Sequence, residues 1–395
     1  MLVPISREAV RSIAFYANFR DGLIEALREL GHEVVLFEFE QPTRASAQEH
    51  AALFRMLTDR PCELALDLCC WGCELSQFRV WDGTAEGEPI YDAFELPCVA
   101  MLYDHPWFQS LPRMRASRLY ASLPDGYGAE QIALVFPEVS LRGWALAPPA
   151  IRPSNNHSIA GSARSIDVLY VGNLAAQALD RPWRDIPAAA AAFDSAADWA
   201  LTHPQRPLHH ALGGLAGAQG EALDAELAGT VLRAVDYYLR AHQRLEAVRA
   251  LAQTGAGVHV VGAGWREAEL PPNVSLQPAL PYDRFLALAG EAKICLDCSS
   301  YPGGANDRVF NYTLNGAVCY TNAAQFAATT LGLDRGLRAY SMLELGRLQE
   351  EVCAALAQPA RLRADGEHGA RLTAATQTWR LRLEHIWRTV FDGAA

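Results

Sequence analysis

Ser299–Asn322 reads SSYPGGANDRVFNYTLNGAVCYTN, and the order of its residue types decides the fold class. The apolar run Ile294–Leu296 leads into a loop holding Gly303 and Gly304. Asn306 then stands where a helix N-cap belongs, and Val309, Phe310 and Leu314 recur at helical spacing. Gly316 stops the helix, and Val318–Tyr320 is a second short β-rich run. A strand, a crossover helix and a second strand make a βαβ unit of a parallel sheet. The amide groups at the start of such a helix point into the preceding loop and attract phosphate. Arg308 adds a cation there, with Asp307 and Asn311 as neighbours one turn apart. The plainer alternative is a capped helix with a solvated polar face.

The same alternation continues outward. Ile166–Val171 ends in Gly172-Asn173, and Val258–Val261 ends in Gly262-Ala-Gly264-Trp265. Residues 163–375 therefore read as an α/β domain, interrupted by an Ala-rich helical insertion at 174–255. In that insertion Val231, Val235, Tyr238, His242 and Leu245 form one helical stripe. Towards the N-terminus, Ser12–Ala17, Val34–Phe39, Leu64–Cys69, Cys98–Tyr103 and Gln131–Phe136 read as strands. A helix over Asp21–Leu30 is stopped by Gly31. Residues 1–150 are thus expected to form a first α/β domain, and Leu146–Ser162, rich in Pro, Asn, Ser and Gly, its linker to the second. The chain closes on a helix at 376–395 whose Trp379, Leu383, Ile386, Trp387 and Val390 share a face that must be covered.

Composition agrees with this size of core. The chain has 395 residues, half of them hydrophobic, and 34 basic against 45 acidic residues leave a net charge of −11. That balance argues against a dedicated nucleic-acid binder and against attraction to anionic membranes. No apolar run is long enough for a transmembrane helix, and the N-terminus lacks a signal-peptide pattern. Nine cysteines without a secretion signal predict reduced thiols and a cytoplasmic protein. The pairs Cys70–Cys73 and Cys295–Cys298 have C-x-x-C spacing. Residues i and i+3 on a strand point to opposite faces, so Cys295 and Cys298 read as ordinary buried thiols, not as a zinc site. His203, His209 and His210 read as surface histidines.

Absent motifs narrow the chemistry. The turn Ala17-Asn-Phe-Arg-Asp-Gly22 has no G-x-G-x-x-G, and Glu267 holds the third glycine position after Gly264. A nicotinamide or flavin dehydrogenase is therefore not expected. No P-loop, nucleophile elbow or H-E-x-x-H occurs, nor a D-x-D pair of the kind that holds a metal in one class of sugar transferases. One further constellation closes a strand of the first domain: Tyr103-Asp104-His105-Pro106. Ligands bind open α/β sheets at the carboxyl ends of their strands, so His105 is a candidate base or sugar contact beside Asp104.

The second half of the chain resembles the donor-binding domain of GT-B glycosyltransferases, of the CgeB-like or "glycosyl transferases group 1" type. The resemblance rests on Val168–Asn173, Tyr237–Arg244, Val258–Trp265, Pro272–Leu276 and Asp307–Ala317, and more faintly on Asp104–Pro106. It implies two Rossmann-like domains facing each other across a cleft, the first on the acceptor side and the second binding a nucleotide-sugar. The closing helix would cross back onto the first domain, and no cofactor or metal would be needed. Carried over by position, Gly172, Asn173, Gly262, Gly264 and Trp265 would line the donor pocket. Gly303, Gly304 and Asn306 would approach the diphosphate beside Asp307, and Arg308 would neutralise it. Asn311 stands where many relatives hold the ribose with a Glu. Arg181 or Arg184 would supply the basic charge that the loop after Gly172 otherwise lacks. The implied activity is metal-independent transfer of a sugar from a nucleotide-sugar to a glycan, protein or small-molecule acceptor, with His105 and Asp104 as catalytic candidates. A sugar-nucleotide epimerase of the same architecture and a non-catalytic nucleotide-sugar or partner-binding relative are the alternatives.

Overall fold

The computed structural model describes residues 1–12, 14–81, 83–84, 86–156, 164–185, 187–213, 224–330, 332 and 335–391. Residue 13 of the expected first strand, 157–162 of the expected linker, 163, 331, 333 and 334 of the expected second domain, 186 and 214–223 of its insertion, and 392–395 of the expected closing helix lie outside the described residues. The chain divides into two compact units: Met1–Arg152 together with Trp379–Ala395, and Pro153–Thr378.

The first unit is built on six parallel strands: β1 (Leu2–Ser6), β2 (Val35–Phe39), β3 (Ala65–Leu68), β4 (Cys98–Met101), β5 (Leu119–Leu123) and β6 (Gly143–Leu146). Their order in the sheet is β2-β1-β3-β4-β5-β6. Inner strands β3 and β4 are buried at every residue, whereas edge strand β2 alternates buried and exposed, as strands covered on two faces and at an edge should. Two expected strands are helical instead. Of Ser12–Ala17, Ser12 ends the helix Arg7–Ser12 and residues 14–17 open the helix Ala14–Glu29, whose Phe19, Leu23, Ala26 and Leu27 are buried at helical spacing. Gln131–Phe136 falls mainly in the helix Gly128–Val135, which buries Gln131, Ile132 and Val135.

The strand that opens the sheet, β1, carries Pro4, and proline inside a run argues against a central strand. The register shows how it is accommodated. β1 pairs with β2 along all five residues but with β3 only at Leu2↔Ala65. Leu2 N donates to Leu64 O on the β3 side, so Pro4, two residues on, falls where that ladder would next need an N–H. Past β3 the chain turns through Cys69 and Cys70, both left-handed at φ 53° and 56°. The turn is held by Asp67, whose carboxylate accepts from Gly72 N at 3.0 Å.

Asp67 is fully buried, and burial raises its pKa to about 7 against the opposing hydrogen bonds from Gly72 and Trp71. A carboxyl whose folded pKa lies above its unfolded value destabilises the fold as it ionises. Stability is therefore expected to fall as pH rises from about 4 to about 7, by on the order of 4 kcal/mol, and to level off above. Asp67→Asn keeps the acceptor oxygen without the charge. Denaturant midpoints across that window should lose this slope, and the variant should be the more stable protein on the alkaline side. An unchanged slope would show that Asp67 is not the titrating group.

The closing helix Trp379–Val390 packs within the first unit, against the helix Ala14–Glu29 and β6. Trp379, Leu383, Ile386 and Val390 are buried, and Trp387 is half-buried beside His32. The Trp379 ring meets Phe19 edge-on at 5.7 Å and Tyr103 at 6.0 Å, while His385 hydrogen-bonds Leu146 O at 3.1 Å. Only glycine fits at position 22, because a Cβ there would strike the Trp379 indole.

The second unit repeats the plan with β7 (Ile166–Val171), β8 (Val258–Val261), β9 (Val274–Gln277), β10 (Ala292–Asp297), β11 (Val318–Thr321) and β12 (Leu337–Ala339), all parallel. The order β9-β8-β7-β10-β11-β12 reverses direction between β7 and β10, the crevice where open α/β sheets bind ligands. Between β7 and β8 lie the helices Pro187–Thr202 and Ala225–Ala252, and the second buries Val231, Val235, Tyr238 and Leu245. His209 is buried there, not at the surface as expected.

Candidate donor site at the carboxyl edge of the second sheet

The strand register brings two glycine turns together. Val171 pairs with Val261, so Gly172 and Gly262 leave the sheet side by side. Gly262 has φ 153° and Gly264 φ 83°. A Cβ on Gly262 would strike the Gly172 carbonyl, and one on Gly264 the Leu174 carbonyl. Backbone meets backbone here, which only glycine allows. Asn173 locks the two turns by accepting from Ala263 N at 2.9 Å. Trp265 is buried behind them, donating from Nε1 to Gly172 O at 2.7 Å. Its indole therefore braces the turn, where the sequence placed it on the pocket wall.

Across the switch point, β10 delivers Asp297, which the sequence reading passed over. Its carboxylate is fully buried and accepts from Thr321 Oγ1 at 2.9 Å and from Asn306 Nδ2 at 3.3 Å. This corrects the expected cap. Asn306 occupies the N-cap position of the helix Asp307–Leu314 with extended backbone, but its side chain turns back to Asp297 and makes no capping bond. The Nδ2 donor of Asn306 is turned toward Asp297, and in that orientation its Oδ1 accepts no capping bond from the helix amides. The first amides of the helix are served from within: Val309 N donates to Asn306 O at 3.3 Å, and the Asp307 carboxyl takes backbone hydrogen bonds from Asp307 and Arg308.

Arg308 sits between the two halves of the edge. Nη1 donates to Val171 O at 2.6 Å, and Nη2 lies 3.7 Å from Asp297. The side chain is 17 % exposed. Burial works against its charge, but Tyr170, Asp297, Tyr312 and Asp307 around it raise the pKa further. A Cβ on Gly172 would come within 2.7 Å of Nη1 and of the Tyr170 hydroxyl, so the glycine also makes room for the guanidinium. Asn311 is fully buried one turn along the helix. Its Nδ2 donates to Tyr282 OH and to Asp307 O, both at 2.8 Å, and its Oδ1 has no partner among the described residues. Burial raises the pKa of Asp307. Gly303 and Gly304 are buried, and Gly304 N donates to Tyr301 O at 3.3 Å.

The cation expected from the loop after Gly172 comes from elsewhere. Arg181 is taken by Asp194 at 2.8 Å, Asp198 at 2.6 Å and Tyr238 OH at 3.2 Å, and Arg184 is exposed without a bond to this edge. Arg244 of the helix Ala225–Ala252 instead donates to Asn173 O at 2.7 Å. Its only sequence signal was its place in the Tyr237–Arg244 stretch.

In the first unit, Asp104 and His105 follow β4. Asp104 Oδ1 accepts from His105 N at 2.8 Å, which fixes the turn and leaves the ring to others. The imidazole is buried, stacks on Trp107 at 4.3 Å, and donates from Nδ1 to Gln131 Oε1 at 3.2 Å. Gln131 could not be foreseen as the orienting residue, because it was read on a strand. All nine cysteines are free, and burial pushes the Cys73 and Cys298 thiols up to about 12, which makes these two poor nucleophiles.

Residues 233–388 match the family model described as "Glycosyl transferase-like". No curated protein matches the chain in sequence. Among solved structures, the chain is similar to sucrose-phosphate synthase from Thermosynechococcus elongatus at 12% identity, TM-score 0.59 and 99% of each chain. It is similar also to an alpha-glucosyltransferase in complex with UDP-glucose and DNA containing an abasic site, at 8% identity, TM-score 0.56 and 98% of each chain. A glycosyltransferase from Rickettsia africae aligns at 8% identity and TM-score 0.56, over 98% of this chain and 97% of its own. The structural likenesses show the GT-B fold of two Rossmann-like halves. The match over residues 233–388 assigns that part of the chain to glycosyl transfer. No described helix is long and apolar enough to cross a membrane.

Proposed function

We propose that the chain moves a sugar from a nucleotide-sugar, held at the carboxyl edge of the second sheet, to a glycan, protein or small-molecule acceptor, without a metal ion. One observation carries this reading. Two backbone-tight glycine turns and the start of the helix Asp307–Leu314 meet around Arg308, a cation whose surroundings keep it charged. That is a setting for a diphosphate. In this reading Gly172, Asn173, Gly262 and Gly264 let the backbone approach the donor, and Gly303, Gly304, Asn306 and Asp307 border the phosphates. Arg308 and Arg244 neutralise them. Asn311 offers its unpartnered oxygen to a ribose hydroxyl. A uridine-type donor is favoured by the UDP-glucose bound to the similar alpha-glucosyltransferase.

Transfer breaks the bond from the anomeric carbon to the diphosphate oxygen and forms one to the acceptor oxygen. Charge builds on the departing diphosphate, and the helix start and the two arginines stabilise it. His105 takes the acceptor proton, with Gln131 holding the ring and Asp104 the turn. The nine free thiols support a cytoplasmic setting.

A simple Arg308→Ala change would strand the buried Asp297 carboxylate and confound affinity with stability. The cleaner variant is the pair Arg308→Gln with Asp297→Asn, which removes both charges together. Nucleotide-sugar affinity by calorimetry should fall by about 1.5–3 kcal/mol while the unfolding midpoint stays near wild type. His105→Ala should leave that affinity intact and slow release of the nucleoside diphosphate. Unchanged affinity in the double variant would remove Arg308 from the donor site. Epimerised donor without transfer would make the protein an epimerase, and binding without turnover would make it a binding protein.

A further inference from the structure

A cavity of about 550 Å³ opens in the second unit away from every residue assigned to the donor. It lies at the free edge of the sheet, between strand β12 and the helices Leu345–Leu356 and Pro359–Thr376. Its size falls within the range of small-molecule sites. Three arginines line it, Arg338, Arg347 and Arg361, against one carboxylate, Glu351. Asp365 lies behind this wall, bonded to Arg338 and 4.0 Å from Arg361, so each arginine already has one acidic neighbour.

The arginines differ in how firmly they are held. Arg338 is fixed, with Nη1 on Tyr320 OH and Nη2 on Asp365, both at 2.8 Å, and its guanidinium over the Tyr320 ring at 5.6 Å. Arg347 and Arg361 are each 70% exposed, the first on Glu351 at 2.9 Å and the second 4.0 Å from Asp365. An anion entering the cavity would therefore meet one preorganised fork and two mobile ones. The same wall carries the first turn of the helix Pro359–Thr376, whose N-cap residue Gln358 makes no capping bond. Ala355 and Leu362 give the cavity an apolar side. Tyr340 follows β12 directly, and its hydroxyl donates to Asp297 O at 3.0 Å and lies 3.1 Å from Cys298 Sγ.

We propose that this cavity is a second anion site, taking a small phosphomonoester whose phosphate lies among Arg338, Arg347 and Arg361 and whose uncharged body rests on Ala355 and Leu362. A phosphate fits better than a carboxylate, because three arginines around one anion offer more donors than two carboxylate oxygens can accept. The proposal stands apart from the donor assignment.

The test titrates the full-length protein with glycerol 3-phosphate and, separately, with inorganic phosphate, by calorimetry. Binding tighter than about 1 mM is expected for the ester, and weaker binding for phosphate alone. Arg347→Gln with Arg361→Gln should weaken it at least about tenfold. Both residues are exposed, so the fold should persist, and an unchanged melting temperature checks that it does. Arg308→Gln with Asp297→Asn should leave ester binding as it is. Equal affinity for ester and inorganic phosphate would keep the anion site and overturn the bound body. No binding by the wild type overturns the proposal. So does binding that survives the arginine pair or is lost with the Arg308 pair, which would place the ester in the donor site.

Discussion

Deleting Trp379–Ala395 is expected to yield insoluble protein whose first unit does not fold. The segment looks like a tail of the second unit by its place in the chain, yet its helix supplies Trp379, Leu383, Ile386 and Val390 to the core of the first. At about 1.5–3 kcal/mol for each fully buried side chain, the loss is roughly 6–12 kcal/mol before entropy is subtracted. That is comparable with the whole stability of a typical domain, about 5–15 kcal/mol. The deletion also uncovers Phe19, Tyr103 and β6, whose apolar surfaces would then seek partners in other molecules. A milder change separates packing from length. Leu383→Ala should stay soluble and lose about 2–5 kcal/mol in denaturant unfolding. Soluble truncated protein with a wild-type unfolding curve would show that the helix is dispensable.

The βαβ unit at Ile294–Tyr320 was readable because each local signal agreed with the next. The apolar strands are buried on both faces, the helix positions Val309, Phe310 and Leu314 are buried, and Gly316 takes φ 74° at the helix end. Leu2–Ser6 was not readable, because Pro4 contradicts the strand that the neighbouring β2 imposes. Ser12–Ala17 and Gln131–Phe136 are short apolar runs, and over five or six residues a buried helix and a buried strand have the same pattern. In the site, residues whose backbone matters could be named from sequence, since glycine after a strand marks a turn. Residues whose side-chain partner is distant could not. Asp297 meets Thr321, Asn306 and Arg308 only through the sheet, and His105 meets Gln131 only once Gln131 is on a helix. Asn306 shows the same limit: its place at the helix start was legible, but the buried carboxylate that claims its side chain was not.

Gly264→Ala should abolish donor binding while leaving most of the sheet folded, and a second glycine makes the argument testable. Gly264 at φ 83° and Gly255 at φ 82° share one left-handed backbone conformation. Around Gly255 a new Cβ would meet nothing within 4 Å, whereas at Gly264 it would run into the Leu174 carbonyl. Gly255→Ala therefore measures the backbone cost alone, about 1–2 kcal/mol, and should leave nucleotide-sugar affinity unchanged. Gly264→Ala adds a collision between two main chains, where no side chain can swing aside. The turn must shift, carrying Trp265 away from its hydrogen bond to Gly172 and disturbing the Asn173–Ala263 link that joins the two turns. The expected loss is about 3–5 kcal/mol of stability, with affinity for the nucleotide-sugar reduced at least about a hundredfold. If Gly264→Ala bound the donor as Gly255→Ala does, the glycine turns would be features of the sheet alone, and the donor would have to be sought elsewhere on the second unit.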